Sequence, residues 1–295
     1  MKRITAFLFL AFFVTISFSQ SLLWKVTGGD LKQPSYLYGS IHIQDARVFA
    51  FDSTIVLGTL QSCDAFAMEI LMDEIDPMEL KKSQFMPKGK LLSNMMKPAD
   101  FAKLDSLCKE KLGITAYFVN GYKPFFLSSA LQQADMAKDQ EDALDVYFLK
   151  KARAAGKNCY GVEKYQDQIA AIDAISLKEQ IKMLVESLET TEQDSIQSEF
   201  EELLNAYLTY NFDKMLELSN DPSMPKKFNK VFLVDRNVGM ADHFAEIARK
   251  QSLFCVIGAA HLAGDKGVPA LLRKKGYTVE PVLFQFHEVK KEKTN

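Results

Sequence analysis

The chain has 295 residues, 47% of them hydrophobic and 11% aromatic, enough to bury one substantial core, alone or with a smaller helical lobe. That composition excludes a disordered or fibrous chain. A formal net charge of −2 leaves no electrostatic footprint for nucleic acid, so no nucleic-acid partner is expected.

The first residues read as an export signal. Lys2 and Arg3 give a positive start, and Ile4 to Ile16 form an apolar run broken only by Thr5 and Thr15. Ser17-Phe18-Ser19 then sets small residues at the spacing a signal peptidase cuts, before Gln20. The run falls short of the roughly 20 apolar residues that span a bilayer. Residues 1–19 are therefore expected to be removed, leaving a periplasmic or extracellular chain with no stable membrane span. An uncleaved N-terminal anchor is the alternative. No cysteine stands near the cut, so nothing supports a lipid anchor.

The mature chain opens on Leu22-Leu23-Trp24-Lys25-Val26, a turn through Gly28-Gly29-Asp30, and Ser35 to Ile43, the signature of a hairpin. A helix follows over Ser53 to Gln61 with Asp52 or Ser53 as N-cap, then a short strand from Asp64 to Ile70. From about residue 73 to 230 the pattern changes to amphipathic helices, read over Pro98–Leu112, Asp142–Ala154, Leu177–Leu188 and Asp194–Leu208. The acidic face of the last is a solvated helix surface. Within this insertion Lys157 to Glu163 reads as a strand returning to the main sheet. The α/β pattern resumes with a helix from Asp235-Arg236-Asn237 through Ala248 and a buried strand from Leu253 to Ile257. A glycine-rich loop then opens a helix with Pro269 in its first turn and Gly276 at its C-cap, ahead of a strand at Tyr277-Thr278-Val279. Lys290-Lys291-Glu292-Lys293 reads as a frayed, solvated end. The fold class that results is α/β (α+β): a mixed central sheet built from both ends of the chain, covered by a helical insertion, in a single domain over 20–295.

Two distant stretches share one local grammar. Tyr36-Leu37-Tyr38-Gly39-Ser40-Ile41-His42 and Phe254-Cys255-Val256-Ile257-Gly258-Ala259-Ala260-His261 each run from an apolar strand through Gly-x-x-His, and the chain has only four histidines. A strand that ends this way sets an imidazole at the lip of a sheet, where the missing glycine side chain leaves room for a ligand. Glu69 interrupts an otherwise apolar run, and burying it unpaired would cost several kcal/mol, so it calls for a metal, a cation or a proton. Together His42, His261 and Glu69 have the inventory of a divalent-metal site with an open position for water or substrate. Each also has a plainer explanation: a strand-end histidine bonded to backbone, or a glutamate paired with arginine. His243 and His287 read as surface or packing residues. There is no G-x-G-x-x-G, Walker spacing or G-x-S-x-G elbow. Cys63, Cys108, Cys159 and Cys255 allow three pairings and resemble neither a zinc knuckle nor a CxxC pair, and Cys63 and Cys255 read as buried thiols.

These residues resemble the TraB/GumN family, whose animal relatives include the Tiki metalloproteases. The resemblance rests on Tyr36-Leu-Tyr-Gly-Ser-Ile-His42, Ala67-Met68-Glu69 and Gly258-Ala-Ala-His261. Lys123-Pro124, Asp145, Gly156-Lys157, Gly161-Val-Glu163, Gln168 and Arg236-Asn237 also stand at positions similar to the family's. It implies a fold like that of erythromycin-esterase and ChaN-type proteins and a metal-dependent hydrolase. In that reading His42, His261 and Glu69 hold or flank a divalent ion (zinc, manganese, cobalt or iron), and Glu69 is either a ligand or the base that takes a proton from water. Arg236 would stabilise an oxyanion, and Glu163 would orient a histidine. Asp235 replaces the family's usual glutamate, and Phe125 its frequent tryptophan. The expected activity is that of a metallopeptidase on peptide or small-molecule substrates. The alternatives are a non-enzymatic protein that sequesters a peptide or small ligand, and an esterase-like hydrolase on a non-peptide substrate.

Overall fold

Six strands form one sheet in the order β4-β3-β5-β2-β1-β6, where β1 is Leu23–Thr27, β2 Ser35–Ser40, β3 Ala65–Met68, β4 Asn158–Gly161, β5 Leu253–Gly258 and β6 Thr278–Val282. They belong to a computed structural model that describes residues 20–136, 138–189, 193–219 and 230–289. The signal segment 1–19 and the lysine-rich end at 290–293 lie outside the described residues. β2, β5, β3 and β4 pair in parallel, while β1 is antiparallel to both β2 and β6. The sheet is thus mixed and draws strands from both ends of the chain, as the sequence pattern leads one to expect.

Local chemistry explains the element boundaries. The β1–β2 hairpin turns through Gly28 and Gly29, both at positive φ (79° and 57°), a conformation that glycine adopts without steric cost. The Asp52 side chain accepts from the Thr54 and Ile55 N–H groups and starts the helix Ser53–Ser62. Pro98 and Pro124 each open a helix at a position where no intrahelical N–H is needed. The Pro98 helix runs to Leu107 and widens into a π-helical turn over Cys108–Leu112, where the sequence pattern reads a single helix. Gly276, at φ 93°, follows the end of the helix Val268–Lys274.

β3 is four apolar residues, all buried, and β5 is buried along nearly its whole length, as parallel strands covered on their faces must be. The helices Leu144–Ala154 and Asp235–Ala248 pack on these strands. Tyr38 of β2 sits at the centre of the main core, its ring 4.9 Å from Phe148 and stacked 6.2 Å from Phe254. Its buried hydroxyl is met by Tyr207 at 3.4 Å, and the Tyr207 hydroxyl in turn donates to the Gly39 carbonyl at 2.8 Å. A second apolar cluster, including Leu92, Phe101, Leu104, Leu127 and Leu184, forms among the helices that lie between the strands in sequence. Each large apolar side chain taken fully from water contributes about 1.5–3 kcal/mol, so this cluster gives the helical segment a core of its own.

Candidate functional site

All four parallel strands end on one side of the sheet, and each is followed closely by a polar side chain. His42 follows β2, Glu69 follows β3, Glu163 follows β4 and His261 follows β5. Given the strand order, these residues lie along one sheet edge, the place where open α/β sheets gather ligands. The two motif glycines serve different ends. A methyl group on Gly39 would meet Leu262 Cδ1 at 2.6 Å and Ala259 Cα at 3.2 Å, so this glycine permits close packing of β2 against the turn after β5. A methyl on Gly258 would stand 3.2 Å from Glu69 Oε1, 3.5 Å from His261 Cδ2 and 3.9 Å from His42 Nε2, so this glycine keeps open the space those three side chains share.

The imidazoles point the same nitrogen at the same atom. His42 Nε2 is 3.9 Å from Glu69 Oε1, and His261 Nε2 is 3.8 Å from it. Their Nδ1 atoms are held from behind by residues on two helices. His42 Nδ1 lies 3.0 Å from Asp145 Oδ2, and His261 Nδ1 lies 2.5 Å from Asn237 Oδ1. The Asn237 amide donates its own N–H to the Lys266 carbonyl at 2.8 Å, which fixes which end of the amide faces His261. His261 therefore donates Nδ1–H and keeps the lone pair on Nε2.

The environments of the two rings differ. Loss of hydration is the largest influence on His261, which is 5% exposed, and it pulls the ring down to about 4, so His261 is neutral at ordinary pH. His42 also loses hydration, but its bond to Asp145 and the charges of Asp145 and Glu69 outweigh that and lift it to about 9. Without an ion, His42 is thus an imidazolium with 56% of its side chain facing solvent.

Glu69 is clamped from both ends. Oε1 accepts from the Gly258 N–H at 2.7 Å, and Oε2 from Arg236 Nη2 at 2.8 Å. Burial pushes its carboxyl up, but His261, His42, Arg236 and the Gly258 N–H together bring it to about 2, so it is ionised. Arg236 also holds Glu163, through Nε to Oε1 and Nη2 to Oε2, both at 2.6 Å, and gives an Nη1 proton to the Phe232 carbonyl at 3.0 Å. These contacts direct four of its five N–H groups at acceptors in the protein. Gln168 Nε2 bridges the two glutamates, 3.5 Å from Glu69 Oε2 and 3.4 Å from Glu163 Oε2.

The structure therefore brings His42, His261, Glu69, Arg236 and Glu163 together. It gives Glu163 to Arg236 and Gln168, while the partners of the two histidines are Asp145 and Asn237. β4 is the edge strand farthest from β2, so Glu163 meets the arginine that lies between it and Glu69. The roles of Asp145 and Asn237 escaped sequence reasoning, although a signal was present. Asp145 shares a buried stripe with Phe148, Leu149 and Ala152, and Asn237 one with Met240, Ala241, Phe244 and Ala248. A short polar residue at the head of an apolar helical stripe must find a partner inside. His243 is partly buried, 2.7 Å from the Val162 carbonyl, and borders a cavity of about 300 Å³ beside Arg236. His287 is exposed, its backbone N–H donating to the Ala50 carbonyl. All four cysteines are free thiols, and Cys63, Cys108 and Cys255 are buried.

Among the described residues, no three histidine, cysteine, aspartate or glutamate side chains stand as a ready metal cage. The donor chemistry around Glu69 nevertheless suits a divalent ion. Two Nε2 atoms converge on one carboxylate oxygen, and each ring is oriented through Nδ1 by an oxygen acceptor, as metal-binding imidazoles usually are. Ser40 Oγ and Asp145 Oδ1 are buried without a hydrogen-bond partner among the described residues, and Asp145 is the residue that holds His42 Nδ1.

The sequence model of the TraB/PrgY/gumN family matches residues 22–281. Among curated proteins, the chain is 23% identical over 314 residues to Metalloprotease TIKI1 of Danio rerio, covering 88% of this chain and 63% of that relative. It is 21% identical over 321 residues to Metalloprotease TIKI2 of Danio rerio, covering 88% and 60%. It is 23% identical over 331 residues to Metalloprotease TIKI1 of Homo sapiens, covering 93% and 65%. The chain thus spans under two thirds of the length of the relatives it matches. No solved structure matches it.

Proposed function

This chain belongs to the TraB/PrgY/gumN family, and from that membership and the cluster at its sheet edge we propose that it is an exported metal-dependent hydrolase, most simply a metallopeptidase. One observation carries the reading: two imidazole Nε2 atoms from opposite ends of the chain face a single oxygen of a buried, ionised glutamate. The names of the relatives, all metalloproteases, support the same chemistry. No helix among the described residues is long and apolar enough to cross a membrane, which is compatible with export.

In this reading His42, His261 and Glu69 would hold a divalent ion. Bound there, the ion supplies Lewis acidity toward a carbonyl and lowers the pKa of a water. The remaining steps belong to the chain's own residues. Both Glu69 oxygens are already engaged, Oε1 by the Gly258 N–H and Oε2 by Arg236, so Glu69 serves better as a ligand than as a freely placed proton acceptor. Arg236 offsets part of the charge of Glu69 and Glu163 and fixes the direction of Oε2. Its one uncommitted N–H is available to steady negative charge on a substrate oxygen. Glu163 acts through Arg236 rather than on substrate. Asp145 and Asn237 orient the rings.

A second reading, a protein that binds a peptide without cleaving it, is favoured by the extent to which Glu69 and Arg236 already satisfy each other. One experiment separates the two. Purified protein is analysed for metal and incubated with a peptide library, with and without a chelator. The proposal expects cleavage that the chelator abolishes, that added zinc, manganese, cobalt or iron restores, and that His42→Ala and His261→Ala remove. Cleavage indifferent to chelator, or none in metal-loaded protein, would rule it out.

A further inference from the structure

We propose that a lysine-lined groove beside the candidate site selects acidic side chains in a peptide a few residues from the bond at the site. This deepens the hydrolase reading and rests on it. The groove, about 810 Å³, lies between the helix Pro77–Gln84 with the loop after it and the segment from Asp173 to Gln180. Lys81, Lys82 and Lys88, all exposed, line it together with Phe85, Met86, Ile175 and Gln180.

Charge decides what the groove takes. From Lys81 to Lys97 there are five lysines and no acidic residue, in a chain whose net charge is −2. The carboxylates nearby are already engaged. Asp173 pairs at 2.5 Å with Lys123, which is buried. Glu179 turns back onto the N–H and hydroxyl of Ser176, and Glu79 accepts from Gln166 at 2.6 Å. Among the described residues no carboxylate lies within ion-pair distance of Lys81, Lys82 or Lys88, so the groove presents a positive, partly apolar surface. An extended peptide with glutamate or aspartate next to apolar residues complements both properties.

The groove is also connected to the site. Arg236 donates to the Phe232 carbonyl, and the Phe232 ring stacks on Phe125 at 5.5 Å. The Phe125 N–H in turn donates at 3.4 Å to Gln180, a residue of the groove wall. Along the helix Tyr165–Asp173, Gln168 touches Glu69 and Glu163, and Asp173 follows roughly 8 Å further along the axis. Extended chain rises about 3.3 Å per residue, so the Asp173 end of the groove is within reach of a peptide segment only a few residues from the bond at the site.

The test reads binding apart from turnover. A short fluorescein-labelled peptide with a run of glutamates, its glutamine counterpart and an oligothymidylate of similar length are titrated by anisotropy into the mature protein with chelator present, at low and high salt. The proposal expects the glutamate peptide to bind roughly tenfold more tightly than the glutamine peptide, a margin that shrinks with salt. The combined variant Lys81→Gln, Lys82→Gln, Lys88→Gln, checked for native circular dichroism, loses that margin while still binding the glutamine peptide. Equal binding of the two peptides, a margin that survives in the variant, or tighter lysine-dependent binding of the oligothymidylate would overturn it. A protein that keeps the acidic preference but never cleaves refutes the hydrolase reading alone. One that cleaves both peptides with no preference in binding or rate refutes the groove alone.

Discussion

Replacing Gly258 with alanine puts the shared space at the sheet edge to a direct test. Gly258 has φ −55° and ψ 137°, a conformation any L-residue adopts, so the substitution introduces no backbone strain. By restricting the unfolded chain it adds about 0.4–1 kcal/mol of stability, less whatever the close contact costs. The new methyl would lie 3.2 Å from Glu69 Oε1, 3.5 Å from His261 Cδ2 and 3.9 Å from His42 Nε2, against all three side chains at once. Carbon prefers about 3.5–4.0 Å to its neighbours, while an ion sits about 2.0–2.2 Å from nitrogen and oxygen donors, so the two cannot share that volume. Glu69 has little room to retreat, because Oε1 is tied to the Gly258 N–H at 2.7 Å and Oε2 to Arg236 at 2.8 Å. The expected result is a melting temperature within a few degrees of the parent protein, with ion affinity and peptide turnover each reduced by roughly 100-fold, the scale of a reacting geometry displaced by about 1 Å. Differential scanning fluorimetry, calorimetric titration of the ion and a peptide assay read the three quantities. Gly39→Ala should show the opposite pattern: its methyl would strike Leu262 Cδ1 at 2.6 Å and Ala259 Cα at 3.2 Å, costing about 1–3 kcal/mol of stability without entering the shared space. A Gly258→Ala protein that binds the ion and turns over peptide like its parent would refute the reasoning.

Two further outcomes follow from the residues behind the histidines. Asn237→Leu removes the acceptor that sets the His261 tautomer and should weaken ion affinity about 10–100-fold, while Asn237→Asp, which keeps an acceptor, should retain most of it. Calorimetric titration checks both, and equal affinity in all three proteins would show that Asn237 only packs. Asp145→Asn should drop His42 from about 9 toward its ordinary value of 6.5, read from its ring signals in an NMR titration of metal-free protein. Because the folded value lies above the unfolded one, the His42 contribution to metal-free stability is complete below pH 6.5 and disappears as pH rises through about 9. Ion binding must displace that proton, so ion affinity should climb about tenfold per pH unit over the same window, and in Asp145→Asn both slopes should flatten. A parent protein whose ion affinity is flat between pH 7 and 9 would contradict this account.

How much of this was legible in the sequence depended on whether the signal was local. Each Gly-x-x-His string is a strand, a missing side chain and a ring within eight residues, and Glu69 is a charge inside an apolar run, so these could be singled out without knowing the fold. The helices with proline or aspartate at their starts were legible for the same reason. Strand order was not. That β5 lies between β2 and β3, bringing His261 beside Glu69, depends on pairings between segments separated by most of the chain. Asp145 and Asn237 were visible only as residues at family positions, because their purpose depends on which helix face meets which strand end. For Glu163 the residue could be picked out but its partner could not: nothing local distinguishes a carboxylate that will meet an arginine from one that will meet an imidazole.

The two rings that face Glu69 are contributed by strands near opposite ends of the polypeptide. During synthesis, at about 5–20 residues per second, the second histidine leaves the ribosome roughly ten seconds or more after the first. Until then β2 has no β5 to pair with, and the sheet edge cannot assemble. A growing or prematurely terminated chain that lacks β5 would therefore leave His42 and Glu69 without their third partner.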